Sequence, residues 1–128
     1  MSLGGGGACS SPPCQNAING AVSRGTTVVV AAGNSNRPTW PASLPASCAN
    51  VVCGGGHRPR PAPRPSYLQL RHHHRHLRAR ARRILSTLNS GTTTPGSASY
   101  ASYNGTSMAA PHVAGVVALV QSAATRPR

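Results

Sequence analysis

The sequence predicts an α/β fold with a mainly parallel sheet, and three stretches of the chain support this prediction. "QNAINGAVSR", Gln15 to Arg24, carries apolar residues at helical spacing, and Gly25 after it is typical of a helix C-terminus. "TTVVVAAGN", Thr26 to Asn34, is an apolar run rich in β-branched residues, which is typical of a strand buried on both faces. "NVVCG", Asn50 to Gly54, begins like a second buried strand. A helix followed by a buried strand is one half of an α/β unit.

A second helix is predicted near the end of the chain, beginning near Thr106 or Ser107. Its apolar residues recur at helical spacing, namely Val113, Val116, Val117 and Val120. Pro111 is compatible with this helix because it lies close to the first turn. From Ile84, "ILSTLNSG" and "ASYASYNGTS" indicate that ordered structure resumes before the helix.

The charge balance excludes several kinds of site. The chain has 128 residues, which is the length of one domain at most. Its formal net charge is +13, all from arginine, and it has no aspartate or glutamate. No side-chain carboxylate is therefore present to bind calcium, neutralise an arginine or orient a histidine.

Nine of the 13 arginines and five of the six histidines lie between His57 and Arg83. This tract has no apolar period, and its composition predicts a disordered or irregular insert. It divides the chain into residues 1–53, 54–83 and 84–128. Arg58–Arg83 is also a candidate for non-specific binding of nucleic acid or another polyanion. The "HHHRH" run offers imidazole ligands for adventitious metal binding, but no functional metal site is predicted.

The four cysteines are Cys9, Cys14, Cys48 and Cys53, without a CxxC pair or zinc-finger spacing. An even count in a chain rich in Ser, Thr and Gly favours disulfides and an oxidising compartment. The cysteine pairing stays open, with Cys9–Cys14 among the possibilities. No transmembrane run and no signal peptide is recognised in the sequence.

"GTSMAAPHVAG", Gly105 to Gly115, places a serine at the start of the second helix. Free backbone N–H groups at a helix N-terminus stabilise a developing oxyanion, and small neighbours let a substrate approach Ser107. The pattern alone favours an N-cap serine, with a nucleophile as the alternative.

The residues of this segment closely resemble the nucleophile segment of subtilisin-like serine proteases. "SLGG", Ser2 to Gly5, is similar to the loop that lines the family's primary specificity pocket. "VVVAAGN", Val28 to Asn34, is similar to the strand that ends in the oxyanion-hole asparagine. The blocks occur in the family's order, and with the helix between them they cover Ser2 to Val52 and Ile84 to about Ser122.

This resemblance implies a partial doubly wound α/β domain and assigns roles to single residues. Ser107 matches the nucleophile, and Asn34 matches the side-chain donor to the oxyanion. The substrate-binding positions of the family match Ser2, Leu3, Gly4, Ala32 and Gly33. His112 matches a histidine that packs locally and is not the base. For the cysteines, the resemblance favours a Cys9–Cys48 bridge and gives Cys14 and Cys53 no role.

The same resemblance implies a secreted bacterial endopeptidase that acts on polypeptides without a cofactor. Its triad runs Asp, His, Ser along the chain, and the first two precede the block that begins here at Ser2. The chain therefore resembles the C-terminal half of a catalytic domain, expected to be inactive alone. A non-enzymatic polyanion binder, or a chain that does not fold stably, remain the alternatives.

The basic tract has a separate hypothesis. With one permitted choice of codons, Leu68 to Arg80 read one base over encodes Ser-Asn-Tyr-Gly-Thr-Thr-Ile-Asp-Ile-Ser-Ala-Pro. This sequence resembles the segment that the family has at this place. A pair of compensating frame shifts would explain the Arg/His bias and the lost aspartate, and the coding DNA decides it.

Overall fold

The fold is described from a computed structural model, which describes residues 1–7, 9, 12–34, 44–57, 76–80 and 83–124. Two helices and five strands occur within these residues. In chain order they are α1 (Pro12–Ser23), β1 (Val28–Ala31), β2 (Val51–His57), β3 (His76–Arg80), β4 (Ile84–Asn89), β5 (Ala98–Tyr103) and α2 (Thr106–Ala124).

The first three strands form a parallel sheet in the order β1-β2-β3. Val28 pairs with Val51, and Cys53 pairs with His76. The backbone of Met1 runs along the other edge of β1, where its carbonyl accepts a hydrogen bond from Ala31 N at 3.0 Å. The parallel sheet expected from the continuous apolar run is confirmed.

The helices cover opposite faces of this sheet, as alternation along β1 requires. On one face, Val30 and Ala32 belong to a core cluster with Ile18 of α1. On the other face, Val29 and Ala31 pack with residues of α2. A mainly parallel sheet with helices on both faces is the partial doubly wound arrangement that the resemblance implied.

Gly54 of β2 allows α2 to approach the sheet closely. A Cβ atom built on Gly54 would lie 2.7 Å from Ala110 Cα and 2.9 Å from Ala110 N. Ala109 and Ala110 are both buried, so the helix presents small side chains where it crosses the strand. The start of α2 is therefore positioned by direct backbone packing.

The strands β4 and β5 form a separate antiparallel pair, with Ile84 opposite Tyr103 and Asn89 opposite Ala98. Most of their residues are exposed. The ordered structure expected from Ile84 onwards is thus a hairpin.

The cysteine pairing is settled by a disulfide between Cys9 and Cys48, with the two Cα atoms 4.9 Å apart. The bridge that the resemblance favoured is confirmed. Cys14 and Cys53 stay outside it.

One expectation needs correction. The basic tract is not irregular throughout, because His76–Arg80 forms β3 beside β2. Most of Arg58–Arg83, with the proposed polyanion contacts and most of the "HHHRH" run, lies outside the described residues. By length and composition alone α2 could cross a membrane, since its mean hydropathy is 1.3. The core helices of water-soluble proteins meet the same criterion.

Candidate active site

Asn34, three residues after the end of β1, meets Thr106 at the start of α2, although 72 residues separate the two. Gly105 stands directly before α2 with φ +150°, a conformation that favours glycine. A Cβ atom there would also lie 3.4 Å from Asn34 Nδ2. Gly105 therefore gives both the backbone turn and the space that the Asn34 side chain occupies.

The side chain of Asn34 is held by two hydrogen bonds from the first residue of α2. Asn34 Oδ1 accepts one from Thr106 N and one from Thr106 Oγ1, each at 3.0 Å. A backbone N–H can only donate, so the atom facing it must be the amide oxygen. This fixes the orientation of the carboxamide, and Nδ2 is the atom that can donate elsewhere.

Thr106 joins the two elements through its hydroxyl group. Besides donating to Asn34, Thr106 Oγ1 accepts a hydrogen bond from Gly33 N at 3.1 Å. Thr106 is fully buried. Sequence reasoning considered Thr106 only as a possible helix start and missed this connection. A hydroxyl residue directly before the serine was the available signal, but its partners are remote in the sequence.

Ser107 is the second residue of α2 and is half-buried. Backbone N–H groups in the first turn of a helix have no partner within the helix, so they are available to a ligand. Asn34 binds the residue directly before Ser107. The structure therefore brings both candidate residues to the N-terminal end of α2.

Pro111 has a consequence for the same turn. It lies within α2 at the position whose N–H would otherwise bond to the Ser107 carbonyl. The residue after Ser107 donates a separate hydrogen bond, from Met108 N to Gly105 O at 3.1 Å.

The five predicted substrate-binding residues fall into two groups. Ser2, Leu3 and Gly4 are exposed, and Gly5 after them forms an antiparallel bridge with Leu44. Ala32 is fully buried and donates its N–H to Gly54 O at 3.2 Å, while Gly33 bonds to Thr106. Gly33 thus lies against the start of α2, and Ala32 before it belongs to the core cluster with Ile18. The first group lies in the segment that begins beside β1.

His112 is exposed on α2, and its Nδ1 donates to the carbonyl of Met108 at 2.7 Å. The carbonyl can only accept, so Nδ1 carries a proton. This is a local contact within one helix, as the resemblance implied.

Comparisons with known proteins show the family of this chain. The subtilase family model matches residues 1–126. An extracellular protease of Xanthomonas campestris pv. campestris is 64% identical over 97% of this chain and 21% of its own length. An extracellular basic protease of Dichelobacter nodosus is 45% identical over 97% of this chain and 20% of its own.

A solved protease from Pseudoalteromonas arctica matches 96% of this chain and 38% of its own, with a TM-score of 0.79 and 43% identity. The fold is that of a subtilisin-like α/β domain, in part. The chain belongs to the subtilase family. It spans about a fifth of the length of the two curated relatives named above.

Proposed function

We propose that this chain is the part of a secreted bacterial serine endopeptidase that carries the nucleophile and one oxyanion donor. One observation supports this most directly. Thr106 occupies the amide oxygen of Asn34 with two hydrogen bonds, so Asn34 Nδ2 is oriented before any ligand arrives. A donor held in place beforehand costs no reorganisation when charge develops, and this makes it effective in catalysis.

In the proposed reaction, Ser107 Oγ attacks the carbonyl carbon of a peptide bond. The resulting oxyanion accepts hydrogen bonds from Asn34 Nδ2 and from the Ser107 N–H. Collapse of this intermediate releases the amine and leaves an acyl-enzyme on Ser107, which water then hydrolyses.

The substrate main chain would lie between the two groups of predicted binding residues. Ser2, Leu3 and Gly4 supply an exposed backbone for extended pairing. Ala32 and Gly33 would form the wall beside the scissile bond, because they directly precede Asn34. Small residues beside exposed main chain suit the binding of a polypeptide, and no cofactor is needed for this chemistry.

The serine proton must pass to a base, and the family's base is a histidine oriented by an aspartate. This sequence contains no aspartate, and His112 is bound within its own helix. We therefore propose that the chain alone hydrolyses peptide bonds weakly or not at all. The extracellular relatives support secretion of the complete protein.

Complementation tests this proposal. The chain is mixed with the part of the Xanthomonas campestris protease that precedes its aligned region, and release of peptides from casein is measured. We expect activity that needs both parts and disappears in Ser107→Ala. The matched control Ser102→Ala removes an exposed hydroxyl of β5 and should leave the activity unchanged.

Asn34→Ala should lower kcat by about 10²–10³-fold, which is the penalty measured for losing the side-chain oxyanion donor of subtilisin. A stable complex of the two parts without peptidase activity would contradict the proposal. So would activity that survives in Ser107→Ala.

A further inference from the structure

A third sulfur atom lies beside the Cys9–Cys48 disulfide. Cys14 Sγ is 3.8 Å from Cys48 Sγ, and all three sulfur atoms lie within 4.8 Å of one another. Cys14 is half-buried and carries a free thiol, whereas Cys48 is fully buried. We infer that Cys14 is a thiol–disulfide exchange site, which displaces Cys9 and forms an alternative Cys14–Cys48 bridge.

The exchange is balanced without an external oxidant or reductant. The Cys14 thiolate attacks Cys48 Sγ, and a Cys14–Cys48 bond forms while the Cys9–Cys48 bond breaks. The electron pair of the broken bond leaves on Cys9 Sγ. Solvent takes the proton from Cys14 and returns one to Cys9, so the chain keeps one disulfide in this cluster. The attacking sulfur must approach along the S–S axis, so the exchange requires rotation of the Cys14 side chain.

The helix that carries Cys14 is already fixed against the turn that carries Cys48. Gln15 Oε1 accepts a hydrogen bond from Ala49 N at 2.8 Å, and Gln15 Nε2 donates to Ala49 O at 3.3 Å. One turn further along α1, Asn19 Oδ1 accepts a hydrogen bond from Asn50 Nδ2 at 3.1 Å. These contacts hold α1 beside the turn in either disulfide state, so the exchange needs little backbone movement.

Chain entropy favours neither bridge strongly. The Cys9–Cys48 bridge spans 39 residues and the Cys14–Cys48 pair spans 34. The constraint on the unfolded chain grows only with the logarithm of loop length, so the two bridges differ little in this respect. Local contacts therefore decide the balance, and both forms are accessible.

The two bridges tie down different parts of the molecule. The Cys9 bridge fastens the N-terminal segment, which also pairs with residues 44–50 through Gly5 and Leu44. The Cys14 bridge fastens α1 and releases Cys9. Loosening of the substrate loop, Ser2 to Gly4, would follow only if the proposed function holds, whereas the exchange itself does not depend on it.

The test maps the free thiol in the full chain under native conditions. After equilibration at mildly alkaline pH, a brief pulse of N-ethylmaleimide labels free thiols, and mass spectrometry locates the label within Met1–Arg24. We expect label on both Cys9 and Cys14. In Cys14→Ser, labelling of Cys9 should fall to background. Label confined to Cys14 after prolonged equilibration would overturn the proposal.

Two further measurements separate this exchange from other routes. Cys9→Ala in a glutathione redox buffer should form a Cys14–Cys48 bridge. If Cys14 and Cys48 both stayed reduced in this variant, the inference would be refuted. Cys53 is buried in β2, with its Sγ directed to Ala46 O at 3.6 Å, so it serves as an internal control. If bridges to Cys53 formed as fast as the Cys14–Cys48 bridge, the disulfides would be scrambling through unfolding. If the exchange rate depended on protein concentration, the exchange would occur between chains. Either result would contradict the proposal.

Discussion

Gly54→Ala tests whether α2, and with it Ser107, is positioned by close packing on β2. The new Cβ atom would lie 2.7 Å from Ala110 Cα. Carbon atoms in contact prefer at least about 3.5 Å, so helix and strand must separate by about 0.8 Å. A gap of this size loses about a quarter to a half of each contact across the interface. Overpacking of this kind costs about 1–3 kcal/mol.

Gly55→Ala is the matched control, because a Cβ atom at this position meets nothing within 4 Å. Replacing glycine by alanine also restricts the unfolded chain, which stabilises a tolerant site by about 0.4–1 kcal/mol. We therefore expect Gly54→Ala to lower the free energy of unfolding and Gly55→Ala to leave it equal or slightly higher. Urea or thermal unfolding followed by circular dichroism measures the difference. Equal stability of the two variants would refute the packing argument.

Three other predictions concern the site and the basic tract. Thr106→Val keeps the side-chain shape but leaves the Gly33 N–H without its acceptor, so it should destabilise the fold by about 1–3 kcal/mol. Thr106→Ser keeps the hydroxyl and should retain the orientation of the Asn34 side-chain amide, which the NMR shifts of that amide would show. A fluorophosphonate probe should label Ser107 of the chain alone weakly or not at all, because no base is supplied, and fast stoichiometric labelling would contradict this. Binding of heparin or nucleic acid through Arg58–Arg83 should vanish in moderate salt, and the affinity for nucleic acid should not depend on its sequence. Binding that resists salt and selects a sequence would contradict this.

The periodicity of apolar residues predicted the helices and the first strand of the fold. The apolar β-branched run before Asn34 predicted β1, and valines at helical spacing predicted a helix beginning near Thr106 or Ser107, which α2 does at Thr106. α1 begins three residues before the predicted Gln15, since prolines are well tolerated in the first turn of a helix. The resemblance supplied what periodicity does not contain, above all the Cys9–Cys48 pairing.

Contacts between distant residues could not be predicted in this way. The bonds from Thr106 to Asn34 span 72 residues. The close approach of Gly54 to Ala110 depends on how a helix crosses a strand. β3 was missed because arginine-rich composition argues against a strand, yet pairing with β2 satisfies its backbone. Composition reports only the side chains of a segment, whereas β3 is formed by main-chain hydrogen bonds to β2.

Hydrogen exchange should separate the chain into two parts of unequal stability. β4 and β5 pair with each other and not with the parallel sheet, and Leu85 and Tyr100 on them are 66% and 73% exposed. An isolated two-stranded hairpin is marginally stable in water, because no further strand or helix covers its apolar side chains. β1 and β2, by contrast, have buried side chains and a helix on each face.

Amides of β4 and β5 should therefore exchange fast, close to the rate of an unfolded chain, while amides of β1 and β2 should exchange with the protection of global unfolding. Addition of the preceding part of a homologous catalytic domain should slow exchange in the hairpin if that part covers its exposed side chains. Equal protection of the hairpin and the parallel sheet in the chain alone would show that the hairpin has support beyond the contacts described for it.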